Sequence, residues 1–396
     1  MSLHSRRELL AVLKPRYRKA SRVSKRQMLD EFTAATGYDR KYAIGLLNAL
    51  PVAKGSHKEK RPRKTRPKLY DSTVQNALQR LWDIENRPCG KRLVPFLPDL
   101  VNALDRHGEI DWDQSVTEKL LALSPATADR LLKAARASAG PRGKTTTKPG
   151  TLLKNQIPVR TFSEWDDDRP GFAEVDLVAH CNDTTRGEYL HTLTMTDIAT
   201  QWTECLPLRN RSQQTVTDAI AIARKQLPFA MLGLDSDNGG EFINQTLLRY
   251  CKEEEITFTR CRPYRKNDQC HVEQKNWSIV REHVGYDRLE SERECTLLRS
   301  LYASLRLYVN FFQPCLKLTH KERIGAKVKK QYDKAKTPYQ RLLDSGMLTA
   351  DQAEALKVQY ESINPAQIWR DLGKAKERLW KATKVRIESE ATNASG

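Results

Sequence analysis

Along the chain the spacing of apolar residues changes twice. In "SKRQMLDEFTAATGYDRKYAIGLLNAL", Leu29, Phe32, Ile44 and Leu47 recur at helical intervals and predict two helices joined by a tight turn. Ser24 with Gln27 reads as a capping box, Gly37 as the end of the first helix and Asp39 as the cap of the second. A second helical stretch, about 72–136, contains "VTEKLLALSPATADRLLKAAR", again helix, turn, helix, with Ser124 as N-cap and Pro125 at the first helical position. From about Phe172 the period drops toward two. "FAEVDLVAH", "EYLHTLTMTD" and "TQWTECLPL" predict an antiparallel meander. A helix from Ser212 follows, with Val216, Ala219, Ile220 and Ala223 on one face. After it come an apolar strand "FAMLGLDS", a helix from about Gly240, a short strand "ITFTR" and a long helix from about Asp268. Beyond Leu289 the pattern is mostly helical and basic. "LLRSLYASLRLYVNFFQP" is one helix stopped near Pro314, and "THKERIGAKVKKQYDK" has no clear core period. The last amphipathic helix carries sparse apolar residues (Ile368, Leu372, Leu379), suited to a partner helix or to a solvated end.

Two stretches lack any period. "KGSHKEKRPRKTRPK", 54–68, holds eight Lys/Arg against one Glu and cannot bury a core. "ASAGPRGKTTTKPGTLLKNQIPVR" reads as a second linker. The whole chain of 396 residues carries a formal net charge of +19, and the clustering of that charge favours a polyanion, nucleic acid first. Lys60, Arg61, Arg63, Lys64 and Arg66 of the first linker suit phosphate contacts or a minor groove. Arg40, Lys41 and Tyr42 open the second predicted helix, where a helix-turn-helix reads bases, and Thr127 and Arg130 hold the same place in the later pair. A purely structural helical bundle is the alternative for each pair. No apolar run approaches the roughly 20 residues of a membrane span, and the first residues lack a secretory h-region. The eight cysteines form no Cys-x-x-Cys pair, which suggests a reducing, cytoplasmic setting. No Walker-type glycine loop is present, so no nucleotide cofactor is expected.

Three carboxylates stand in positions where chemistry is conceivable. Asp176 lies inside an apolar strand, where a charge is costly unless a cation compensates it. Asp237 follows a strand at "DNGGEF", and Glu273 opens the helix "HVEQKNWSIVREHVG". Taken singly, they read as an edge-strand residue, a helix cap and an exposed first-turn acid. Glu174, Asp235 and Glu282 are rival acids nearby. His271 with Cys261 and Cys270 fits no standard zinc spacing and reads as packing.

Taken together, the three acids and their flanks closely resemble the integrase catalytic core shared by retroviral integrases and DDE transposases. The resemblance rests on Asp176 in a first strand, on Asp237 in "D-N-G-x-x-F", on the loop Tyr264 to Asn267, and on Glu273, thirty-five residues separating it from Asp237. It spans roughly Trp165 to Phe312, and the helix wording looks like insertion-sequence transposases. It implies a ribonuclease H-like fold, whose element order the predicted strands and helices match. It also implies a catalytic triad of Asp176, Asp237 and Glu273 holding two Mg²⁺ ions (Mn²⁺ substituting) about 3.5–4 Å apart, for DNA cleavage and strand transfer. Double-stranded DNA, both element ends and target, and a homo-oligomer on DNA are the partners implied. On the last helix Asn276 shares Glu273's face and could bond DNA near the metals; Arg281 could reach a phosphate, and Lys275 points more to the side. Trp277 stands where many relatives have Lys or Arg.

The expected architecture is therefore multidomain. N-terminal all-α helix-turn-helix units (1–53 and 69–138, joined by a basic linker at 54–68) precede a linker at 139–164. A central α/β ribonuclease H-like integrase core (165–314) and a helical basic C-terminal region (315–396) follow. A nuclease of the same fold and an inactive DNA-binding regulator are the rival functions.

Overall fold

A computed structural model describes residues 1–49, 69–137, 169–261, 269–324 and 327–394. The basic linker with Lys60, Arg61, Arg63, Lys64 and Arg66, the motif loop Tyr264 to Asn267, and most of the second linker lie outside the described residues. The chain forms two compact units, 1–68 and 69–396.

The first unit has three helices, α1 (Leu3–Lys19), α2 (Arg22–Thr36) and α3 (Arg40–Asn48). Tyr17, Leu29, Phe32, Ala43 and Leu47 form their shared core. Two of the sequence-based signals hold: Gly37 ends α2 in the left-handed region (φ 69°), and Asp39 caps α3 by accepting the Lys41 and Tyr42 N–H groups. Two do not. The cap of α2 is Ser21, extended and accepting the Ser24 N–H, so Ser24 sits inside the helix and makes no capping box with Gln27. Ile44 is 36% exposed, because a helix starting at Arg40 turns Ala43 and Leu47, four apart, inward instead.

The second unit opens with α4 (Ser72–Ile84), α5 (Gly90–Arg106), α6 (Gln114–Leu121), α7 (Pro125–Leu131) and α8 (Lys133–Ala137). Ser124 caps α7 with Pro125 at its first position, as its sequence predicts. A Cβ on Gly90 would meet the Pro125 carbonyl at 2.3 Å, so only glycine lets the starts of α5 and α7 touch. The sheet follows: β1 (Phe172–Ala179), β2 (His191–Asp197), β3 (Thr203–Leu208), α9 (Gln213–Gln226), β4 (Gly233–Ser236), α10 (Gln245–Glu253) and β5 (Thr257–Arg260). The strand order is β3-β2-β1-β4-β5, with β1–β2–β3 the expected antiparallel meander and β4 and β5 parallel to β1. The helix expected from Gly240 begins only at Gln245, because Asn244 is its cap and accepts the Leu247 N–H.

The chain continues as α11 (Cys270–Lys275), a π-helical turn (Asn276–Arg281), α12 (Glu282–Val284) and α13 (Glu292–Phe312). Next come β6 (Leu318–Ile324), β7 (Lys327–Tyr332), α14 (Pro338–Asp344), α15 (Ala350–Ser362) and α16 (Pro365–Ala394). The β6–β7 hairpin corrects the expectation of a helical C-terminal region at the one stretch that showed no clear core period; its exposed residues have no apolar stripe to drive a helix.

The sheet has two unlike faces. Ala173, Val175, Leu193, Met195, Leu234 and Phe258 pack with the predicted stripe of α9 (Val216, Ala219, Ile220, Ala223) and with α10. The other face is polar, with Glu174, Thr194, Thr196 and Asp235 buried. Helix α13 seals the edge of β3, since the Asn310 side chain accepts from the Thr203 N–H and donates to its carbonyl, both at 2.9 Å. A single apolar core then joins α4, α5 and α7 to α13 and α16, including Leu78, Leu97, Leu301, Phe311, Leu372 and Leu379. The last helix, left open between a partner and solvent by its sequence, thus buries Leu372 and Leu379 within its own chain.

This core holds one anomaly. Glu85 is fully buried, neither carboxylate oxygen has a hydrogen-bond partner among the described residues, and burial pushes its pKa well above the usual range. Its proton is retained on folding but lost from the unfolded chain above pH ~4.3, so stability falls as pH rises past that point. Glu85→Met is expected to stabilise by about 1–3 kcal/mol, more at pH 8 than at pH 5, in denaturant melts at the two pH values.

Candidate active site

Position in the site follows from strand register. In the parallel pair β1–β4, Glu174 lies opposite Asp235 and Val175 opposite Ser236, so the next step along both strands is Asp176 beside Asp237. Side chains alternate, so all four acids project to the same polar face. The two rivals are engaged structurally: Asp235 accepts the Thr259 hydroxyl at 2.6 Å, and Glu174 has the task described below.

Asp176 is half-buried. Its carboxylate accepts the Leu177 N–H at 2.8 Å and the Asn276 side-chain N–H at 2.6 Å. Burial, then Asp237 and more weakly Glu273, push its pKa up to about 7, against these two hydrogen bonds. Asp237 sits at a turn where its own Oδ1 accepts the Gly239 N–H at 2.8 Å, so the plain reading as a helix cap is replaced by a local turn. Burial raises the Asp237 pKa too, opposed by that N–H. A Cβ on Gly239 would lie 2.8 Å from the Asp237 carboxylate and from Glu241, so a side chain there would push on the acid. Asn238 completes the turn by donating to the Cys261 carbonyl at 3.0 Å.

Glu273 is an exposed first-turn residue of α11, close enough to raise the Asp176 pKa. Its placement depends on Glu174. That fully buried carboxylate accepts the His271 and Val272 N–H groups, each at 2.9 Å, which ties the start of α11 to β1 two residues before Asp176. Anions at a helix N-terminus bond its free N–H groups and complement its dipole. His271 accepts through Nδ1 from the Gln201 side-chain amide at 2.8 Å, in keeping with packing.

The π turn changes what the following residues do. Asn276 reaches the acids, but its amide N–H is given to Asp176, and its buried Oδ1 has no partner among the described residues. Lys275 is not a surface cation: it is only 8% exposed, and burial lowers its pKa. Arg281 is turned inward, donating to the Ala179 carbonyl at 2.8 Å and stacking over Tyr286 at 4.8 Å. Both correct the expected phosphate contacts. For Arg281 the widened turn breaks the α-helical period on which its expected position rested; Lys275 lies before that turn, at the end of α11, and is withdrawn from phosphates by burial. Glu174, read from the sequence as a rival acid on the strand face of Asp176, holds the start of α11 instead, a role that no spacing in the sequence signalled.

Among the described residues, no three His, Cys, Asp or Glu side chains stand ready to hold one ion. The donor chemistry still fits a hard divalent cation. Asp176, Asp237 and Glu273 offer carboxylate oxygens, and their mutual repulsion is what positive charge would relieve. Elsewhere, Arg40 pairs with Asp30, Lys41 and Tyr42 are exposed, and Arg130 is exposed and donates to Thr127 at 2.9 Å.

The Integrase core domain family matches residues 167–266, a span that includes Asp176 and Asp237 and ends before Glu273. The chain is 42% identical over 341 residues to the uncharacterized protein y4rM of Sinorhizobium fredii (strain NBRC 101917 / NGR234), covering 84% of this chain and 93% of that one. Among solved structures, it is similar to the catalytic core domain of BIV integrase (18% identity, TM-score 0.29, 44% of this chain and 95% of that one). It is also similar to the HTLV-2 integrase catalytic core domain in complex with magnesium (15%, TM-score 0.29, 37% and 90%). The chain belongs to the DDE transposase and integrase-like family, and it shares a family with y4rM. Among the described residues, no helix is long and apolar enough to cross a membrane.

Two outcomes follow from this geometry. Glu174→Ala leaves two helix N–H groups unmet and is expected to cost about 2–4 kcal/mol, with faster hydrogen exchange at His271 and Val272. Asp176→Asn removes an acid whose folded pKa, about 7, exceeds its ordinary 3.8. Stability is lost as pH rises between those values, so this variant is expected to melt higher than wild type in metal-free buffer at pH 8, by on the order of 1–3 kcal/mol, and to match it near pH 4.

Proposed function

We propose that this protein is a transposase that binds the ends of a DNA element, cuts them and joins the freed ends to target DNA. One observation supports the reading: the β1–β4 register runs to Val175 opposite Ser236, one residue before Asp176 and Asp237, and Glu174 holds the start of the helix that carries Glu273. In this reading the three acids hold two Mg²⁺ ions, with Mn²⁺ able to substitute. When bound, such ions activate the attacking oxygen and stabilise the leaving one. Asn276 orients the Asp176 carboxylate by the 2.6 Å bond, so both of its oxygens keep fixed directions. The Asp237 turn holds one oxygen on the Gly239 N–H and leaves the other for a ligand.

The helical units supply DNA recognition. The pair α2–α3 acts as a helix-turn-helix with Lys41 and Tyr42 free to face bases and Arg40 beside them, tethered to Asp30. The pair α6–α7 presents Thr127 and Arg130 at the start of its second helix. Between them the linker lysines and arginines, Lys60 to Arg66, contact phosphates. A dimer or larger assembly brings two element ends together. A DNA-binding relic is the second reading, favoured by the lack of a preassembled three-ligand group among the described residues.

The test incubates the full chain with a labelled duplex from the DNA flanking its gene and a plasmid, in Mg²⁺ or Mn²⁺. Wild type is expected to give joined product. Asp176→Asn and Glu273→Gln are expected to abolish it, and Asn276→Ala to lower it by about 10–100-fold, the usual loss for an outer partner of a metal site. Cleavage without joining would indicate a nuclease; tight binding with no metal-dependent product would indicate the relic.

A further inference from the structure

Strands β6 and β7 form a ribbon separate from the main sheet. Every residue from Leu318 to Tyr332 whose side chain is described is exposed, on both faces of the ribbon. Isolated two-stranded ribbons are marginal in water, and their open edges invite pairing, so one this exposed needs an explanation. Its foot is firmly held. Cys315 and Lys336 exchange backbone bonds of 2.9 and 3.2 Å, and Asp333 accepts the Lys317 N–H at 2.7 Å. Arg341 clamps both sides, donating to Asp333 at 2.6 Å and to the Cys315 carbonyl at 2.8 Å.

The charge of the arm is lopsided. From Lys317 to Lys336 the chain holds seven lysines and one arginine against Glu322 and Asp333. Asp333 is consumed at the foot, which leaves Glu322 as the arm's acid, opposite Lys329 in the register. Lys330 lies opposite Lys321 and Val328 opposite Arg323. Among the described residues neither Lys329 nor Lys330 has an ion-pair partner, and Tyr332 is 47% exposed beyond them.

We propose that the β6–β7 ribbon is an arm that docks on double-stranded DNA through its phosphates, without reading sequence. It rests on the DNA-processing reading above and adds the surface that meets the duplex. Lysines act as point charges on phosphates. Two strands about 4.8 Å apart also match a major groove about 12 Å wide, which admits a two-stranded ribbon. A second copy of the chain is the competing occupant, and charge argues against it: two ribbons carrying the same excess repel, and edge lysines block strand addition.

The experiment follows anisotropy of a fluorescent random-sequence duplex with the full chain in EDTA across a salt series. Lys329→Gln/Lys330→Gln and Lys329→Glu/Lys330→Glu are compared with a control, Lys374→Gln/Lys381→Gln on α16, after circular dichroism shows each folded. For two lost phosphate contacts, the slope of log K against log salt should shrink by about 1.8, with affinity tens of times weaker near 0.1 M salt. The charge reversal should lose more, and the control little. An unchanged slope, an equal loss in the control, or no duplex binding by wild type overturns the proposal. So does a change in sedimentation without a change in DNA affinity, which would name a second copy as the occupant. Because binding is read without metal, failed joining with intact ribbon-dependent binding would sink the transposase reading and leave the arm standing.

Discussion

Repulsion between acids on one sheet face is the constraint around which the core is organised. Parallel pairing of β1 and β4 sets Glu174 against Asp235 and ends at Val175 against Ser236, one residue before Asp176 and Asp237. The first pair is held by hydrogen bonds: two helix N–H groups for Glu174 and the Thr259 hydroxyl for Asp235. The second pair accepts N–H groups too, yet burial and the neighbouring carboxylates push the Asp176 pKa up to about 7. Two rows of acids on adjacent register positions therefore have opposite fates. One row builds the scaffold, and the other stores unfavourable charge, the usual mark of a site built for a cation.

The scaffold around this face is polar where buried sheets are ordinarily apolar. Thr192 links His180 and the Tyr302 hydroxyl at 2.7 and 2.6 Å, and Asn310 extends the ladder of β3. These bonds fix α13 against the sheet, and α13 in turn carries the core shared with α4, α5 and α16. Helices distant in sequence thus brace the acids from behind. Tyr308 reaches the Ile84 carbonyl, and Arg92 donates to the Pro314 carbonyl at 2.6 Å, so the helices before the sheet and after it are coupled directly. The coupling makes the rigidity of the acidic face a property of the whole second unit.

Much of this was legible from residue order. The meander, the apolar stripe of α9, the left-handed stop at Gly37 and the caps at Asp39 and Ser124 are local, and local chemistry decided them. The nearness of Asp176, Asp237 and Glu273 was suggested only through resemblance, since no spacing rule links residues on separate elements. Readings failed where two local solutions competed, as Ser21 displaced Ser24, or where the helical period was interrupted, as at Asn276–Arg281.

The sequence by itself determined the alternation that sends Glu174 and Asp176 to one face and a charge that favours nucleic acid, because each depends on neighbouring residues or on a sum over the chain. Tertiary structure alone decided which acid is a helix cap and which stays uncompensated. It also decided that Lys275 and Arg281 serve the interior while the lysines of the β6–β7 ribbon face outward. The physical reason is that burial and partnership are relations between elements far apart in the chain. A carboxylate or an ammonium acquires its role from the charge and solvent that packing leaves beside it.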